Sequence, residues 1–505
     1  MKTLSMHTNM SKWIKLCAVL IALAAAPGVK AFSLLGPLTS WQVNGLAYDF
    51  GGDLGGPMNL REGFRWNVPV ITYACDKSFI DYFGSDGTKA IDQAFQYFND
   101  LPKSTQITSL DEYSTSTLRE NFEASALGII DIKSTAMTMI MEELGFADPI
   151  RYTFTLRSRT VTPVTGGTPI TNYVTIMRNF DPVTLSPSRY VNGTLYTYEI
   201  QEFRAPPFDH ADALEVVSFG NDDETVPVAT GLTHIKFTTG AADSGPAGSI
   251  AAGLFRTGLT RDDVGGIKFL YDPKNLAIEG LLPTVTAGFG LGNSAAWVPF
   301  TGLTNLTTVT NVQVVVGTNG TNNILSQGLR GGRNKLRFQR VFFDSIFGQS
   351  FTPITNAYTD VAVGSNFTMV VQALQRGITQ PDFIFVAEDI GLVNNLLPAF
   401  TLRSDTANWI DNDLLNGVDE TALSHGPGVI APPIRISFSD QLPYFVNDTQ
   451  SAFLDEFPGE SSAISSGAWG SFDGSTNAPI IYPRYKNISL QQLRREVLGR
   501  GQNSQ

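Results

Sequence analysis

The stretch that decides the reading is Asp131 to Asp148, DIKSTAMTMIMEELGFAD. Asp131 stands where an N-cap would, because a short acceptor side chain can take an unpaired amide of a first helical turn. Gly145 stands where a helix would stop, since glycine enters the left-handed backbone region without a steric penalty. Between them Ile132, Ala136, Met137, Met139, Ile140, Met141 and Leu144 cover most of the helical circumference. An amphipathic surface helix shows one apolar stripe, so this pattern predicts a helix buried nearly all round.

Flanking stretches extend the pattern. Trp66–Ala74, WNVPVITYA, is rich in β-branched and aromatic residues and predicts a strand. Asp76–Phe83 reads as a short turn or helix. Gly87–Asn99 places Ile91, Ala94, Phe95 and Phe98 three and four apart, which predicts an amphipathic helix. Arg151–Thr160, Tyr196–Phe203 and Thr233–Thr238 predict strands. Leu259–Asp272, LTRDDVGGIKFLYD, predicts a helix capped by Thr260, with Asp262 and Asp263 at the positive end of its dipole and Pro273 closing it.

Beyond residue 275 the texture changes. Val309–Val316, Lys335–Phe343, Phe367–Gln375 and Ile434–Phe438 read as strands between Gly- and Asn-rich turns. The expected organisation is a segment 1–31 removed on export, an extended lead-in at 32–65, and an α+β domain at 66–275 with an insertion at about 149–250. An all-β sandwich-like region at 276–440 follows, then an irregular segment at 441–505 with a short helix at Leu490–Leu498.

The export segment is read from Lys12 and Lys15, the apolar run Leu16–Ala26, and the small residue Ala31 at the expected cut. The run is shorter than the ~20 residues that a spanning helix needs. The chain is expected to be secreted, to the medium, the cell surface or the periplasm. Cys17 leaves with the leader, so Cys75 is the one cysteine of the mature chain and no internal disulfide forms. The 505 residues carry 42% hydrophobic and 16% charged residues, a net charge of -12 and a pI near 4.9. Nucleic acid is excluded as a partner on that balance, because phosphate binding needs a basic surface.

Three stretches together resemble a known family. VPVITYACDKSFIDYFGSDGTKAIDQAFQYFN is similar to the opening strand and first helix of matrixin-type metzincin zinc proteases. LTRDDVGGIKFLYD resembles their closing helix, and the Asp131 helix lies between the two. The resemblance covers about residues 66–273. It implies a metzincin-like α+β domain and a cleft over the middle helix.

That family binds zinc through His-Glu-x-x-His-x-x-Gly-x-x-His. Two histidines share a helix face, a third returns after the glycine turn, and the glutamate activates the bound water. Anchored on Gly145, the matching positions here are Thr138, Met139, Glu142, Gly145 and Asp148. Only the glycine is kept. Met139 cannot take a proton and threonine is a poor zinc ligand, so the expectation is a protease-like scaffold without catalytic zinc. Thr138 and Glu142 are expected to point into the cleft where a metal would have been. His210, His234 and His425 are not paired at helical spacing.

Other chemistry is sparse. No nucleophile elbow, phosphate loop or dinucleotide fingerprint occurs. Cys75 ends an apolar strand and reads as a buried, inert thiol. No cofactor is expected, apart from calcium at Asp222 and Asp223 or at Asp411 and Asp413, weighed against solvated acidic turns. Arg330, Arg333, Lys335, Arg337 and Arg340 form a basic group, with Lys335 and Arg337 expected on the solvent face of an edge strand. The leading function is extracellular binding, adhesion or surface assembly, with a protein or glycan partner. A zinc peptidase with an unrecognised site is one alternative. A glycan-binding β-region with Trp297, Trp409 and Trp469 as platforms is another.

Overall fold

The structure is a computed structural model. It describes residues 31–34, 59–60, 63, 65–147, 149, 153–202, 213–219, 252–288, 312–315, 324–343, 351–364, 369–387, 401–403, 429–438 and 468–483. Within these the chain is mixed α/β, with several sheets, few helices and mostly strands.

The Asp131 stretch forms a helix over Ile132–Glu143, and all twelve of its residues are buried. Asp131 caps it, accepting from the Ser134 amide at 2.9 Å. Gly145 follows the end with φ 98°, a backbone that side-chain-bearing residues rarely adopt. The terminal carbonyls are taken by groups from elsewhere in the chain. Trp66 Nε1 donates to the Glu143 carbonyl at 2.7 Å and the Tyr271 hydroxyl to the Leu144 carbonyl at 2.9 Å. A buried helix end needs such partners, because its last carbonyls have none within the helix.

This central helix packs on a long helix, Lys77–Asp100. The two expected pieces, Asp76–Phe83 and Gly87–Asn99, are joined across Gly84, whose φ of 62° and ψ of -159° break the regular winding. Phe79, Phe83, Phe95 and Phe98 face inward.

The long helix lies on a four-stranded parallel sheet, and Phe95 meets Phe338 at 5.1 Å and Phe385 at 5.8 Å between ring centroids. The strand order is Arg337–Arg340, Val70–Cys75, Phe383–Ala387, Ile434–Phe438. Val70–Cys75 has five buried residues in succession, as a parallel strand covered on both faces should. Both of its neighbours come from beyond residue 330.

Thr401–Arg403 pairs separately with Val429–Ala431, and six more strands of the 276–440 region make a second sheet. Its path runs Leu276–Gly280, Gln327–Gly331, Ile354–Val363, Met369–Ile378, Val285–Ala287, with Val312–Val315 parallel to Met369–Ile378. A β-sandwich standing apart after residue 275 is therefore not what the described residues form. Backbone hydrogen bonds bridge that boundary, and one apolar core includes Met137 and Ile140 with Phe338, Phe385 and Ile436.

Three further features position the candidate site. Phe32–Leu34, just after the expected cut, is the buried middle strand between Phe146–Ala147 and Asn179–Phe180. The closing helix is Arg261–Leu270. Its capping box is complete, with Thr260 and Asp263 each accepting from the other's backbone amide. Gly266 lets it approach closely, since a Cβ there would lie 2.8 Å from Phe146 Cε1. Ala468–Ser471 runs parallel to Ile129–Asp131 and brings the C-terminal part of the chain beside the start of the central helix.

Two further antiparallel pairs are Thr155–Thr162 with Ile170–Ile176 and Thr194–Glu202 with Ala213–Phe219. The expected strand Thr233–Thr238 and the helix Leu490–Leu498 lie outside the described residues.

Candidate functional site

The middle of the central helix is core. Thr138 is fully buried, and its hydroxyl donates back to the Ser134 carbonyl at 3.2 Å. Met139 is enclosed among apolar side chains. Glu142 is buried one turn on from Thr138. Thr138 and Glu142, expected to point into a cleft, are both buried, and neither lines the large cleft described below or the small one beside Leu144 and Tyr271. From Ser134 onward every residue of the helix is buried, whether apolar or polar, which leaves that part no face on a water-filled site. The donor set does not fit zinc either: of the two ligand positions on the helix, Thr138 offers a hydroxyl bonded to its own backbone and only Glu142 offers a carboxylate, while Met139 at the base position cannot take a proton.

Asp148 lies outside the described residues, as do His210, His234, His425, Asp222, Asp223, Asp411, Asp413, Trp297 and Trp409. Among the described residues no group of three or more His, Cys, Asp or Glu is placed to hold a metal ion. None of the helices among them is long and apolar enough to cross a membrane.

Two other candidates resolve into structure. Cys75 is buried, and burial pushes its thiol well above the usual range. Trp469 is 2% exposed and meets Phe438 edge-on at 5.2 Å, so it is a core residue and not a ligand platform.

The basic group divides. Arg337 and Arg340 are exposed on an edge strand, and Arg340 pairs with Asp92 at 2.7 Å. Lys335, expected on the same solvent face, instead donates to the Asn99 and Leu101 carbonyls at the end of the long helix. That is where a cation complements the helix dipole. Arg330 and Arg333 turn inward to Asp360, at 3.0 and 2.8 Å.

The large cleft opens at the other end of the central helix and has a volume of about 790 Å³. One wall is the outer face of the long helix, with Gln93, Gln96 and Tyr97. The opposite wall is the turn after Ala468–Ser471, including Phe472 and Ser475, and Glu120 stands at an edge. Asp131 and Lys133, from the start of the central helix, reach into it.

Lys133 is the unusual residue. It is 8% exposed, and its ammonium sits 5.7 Å from the Tyr97 ring centroid and 5.8 Å from that of Phe255. Both distances are within cation–π range. Among the described residues no hydrogen bond or ion pair holds it. A buried ammonium without such partners is costly, and the positive end of a helix dipole adds to that cost.

Asp131 lies nearby. Burial pushes its carboxyl above the usual range, partly opposed by the Lys133 charge and by hydrogen bonds from Ser134. Sequence reasoning passed over Lys133 although it sits in the opening stretch. The available signal was one lysine in the first turn of a helix expected to be buried nearly all round.

No protein-family model, curated protein or solved structure matches the chain.

Proposed function

We propose that the chain is a secreted, non-catalytic binding protein that seats a glycan of its surroundings in the cleft at the start of the central helix. The observation that carries this reading is Lys133, a charged side chain held in the floor of an open cleft by two aromatic rings. The walls suit a hydroxylated ligand: amide and hydroxyl groups of Gln93, Gln96 and Ser475 both donate and accept, and Tyr97 and Phe472 offer apolar surface. In this reading the likeness of residues 66–273 to matrixin-type metzincins is one of scaffold. The helix positions that would carry zinc chemistry are filled by core residues.

Two measurements on the purified chain test it together. A glycan array should give selective binding, and metal analysis with a casein digest should give neither stoichiometric zinc nor cleavage. One zinc per chain with chelator-sensitive casein hydrolysis would overturn the reading in favour of a metallopeptidase.

A further inference from the structure

We infer that Lys133 is an anion anchor, and that the ligand of the cleft is a saccharide bearing a single carboxylate, a sugar acid. The inference rests on the cleft reading above and adds the charge and chemistry of the ligand.

An ammonium kept at 8% exposure and open to a cleft lacks what a buried cation ordinarily has, a hydrogen-bonded counter-ion. The tip donates three hydrogen bonds when satisfied. Tyr97 and Phe255 hold it by their ring faces, which fixes its position and leaves those donors available. An arriving carboxylate would supply the missing acceptor, and in a partly desolvated site a charge-assisted hydrogen bond is stronger than a neutral one.

The rim limits the charge of the ligand. Asp86, Asp100, Glu120 and Asp473 all line the cleft, as does Asp131 beside Lys133 with one oxygen bonded to Ser134, and against these a polyanion such as a nucleic acid or a heavily sulfated glycan would be repelled. The same carboxylates accept hydrogen bonds from hydroxyls. One carboxylate at the floor and hydroxyls toward the mouth match this distribution. A volume of about 790 Å³ accommodates an oligosaccharide end and not only one ring.

The test is calorimetric titration with two trisaccharides that differ in one group: glucuronosyl-xylobiose, which carries one carboxylate, and neutral xylotriose. The wild-type chain should bind the acid at least tenfold more tightly. Lys133→Met should lose that preference, so that the two sugars bind it alike, while Lys133→Arg should retain part of it. Because Lys133→Met removes a buried charge, its unfolding midpoint should match or exceed that of the wild type.

Equal wild-type affinity for the two sugars would overturn the anchor and leave the glycan reading standing. Failure of both sugars and of the wider array to bind would overturn both. Tight binding of acetyl-dialanine, a peptide carboxylate, with no binding of the sugar acid would replace the saccharide with a peptide terminus. The wild-type comparison alone decides the matter if the methionine variant does not fold.

Discussion

Asp360→Ala is expected to lower the stability of the chain in urea by about 3–5 kcal/mol, the usual effect of removing one partner from a buried ion pair. Asp360 is 1% exposed and accepts from Arg330 Nε at 3.0 Å, Arg333 Nη2 at 2.8 Å and Gln372 Nε2 at 2.9 Å. Without it Arg330, itself buried, keeps its charge and loses its counter-ion. Arg330 also donates to the carbonyls of Glu279 and Leu325, so the cluster ties together strands of the six-stranded sheet and the segment leading into it.

The same carboxylate fixes a pH dependence. Burial alone would push it up, but the guanidiniums of Arg333 and Arg330 outweigh that and hold it below the usual range. A folded-state value below the unfolded one, which is about 3.9, means that the folded chain releases this proton more readily. The stabilisation is then complete above the unfolded value and is lost as pH falls through the folded one. Urea midpoints should therefore decline below about pH 4 in the wild type and less steeply in Asp360→Asn. Superimposable pH profiles would contradict this account of the cluster.

Arg65→Ala should have an effect of similar size, about 3–5 kcal/mol, for a different reason. Arg65 pairs through Nε with Glu279, donates through Nη1 to the carbonyls of Leu270 at 3.1 Å and Asn275 at 2.8 Å, and through Nη2 to that of Arg330 at 3.0 Å. One guanidinium thus caps the closing helix and ties strands Leu276–Gly280 and Gln327–Gly331 to the start of the parallel sheet. Arg65→Lys should rescue little, because a single ammonium cannot reach acceptors spread around a planar fork.

Tryptophan fluorescence and far-ultraviolet circular dichroism should report one coincident transition in the wild type and one, at lower urea, in Arg65→Ala. Two separate transitions would show that the parts before and after residue 275 fold independently.

Local features were legible in the sequence because local chemistry sets them. The caps at Asp131 and Thr260, the glycine stop at 145 and the all-round burial of the central helix follow from residue type and spacing. Ile434–Phe438 was legible as a strand to the residue. Its partner was not, because parallel strands are joined by long crossovers and an apolar run such as VITYAC does not encode which distant strand will lie beside it.

The buried ion clusters were hidden for a related reason. Arg330 and Arg333 share a basic stretch with Arg337 and Arg340, and only the arrival of Asp360 from thirty residues downstream separates core from surface. The cleft depended on a still longer connection, that of Ala468–Ser471 beside Ile129–Asp131. Composition gives no hint of that pairing. Lys133 becomes conspicuous only once the walls around it are in place.

In the proposed function the central helix is a core element that contributes to binding through its first turn. Hydrogen exchange of the peptide spanning 131–147, followed by mass spectrometry with and without added zinc, tests this directly. The prediction is slow exchange, close to the global unfolding limit, unchanged by zinc. Rapid exchange that becomes slow when zinc is added would mark the helix as a metal-organised site and contradict the account.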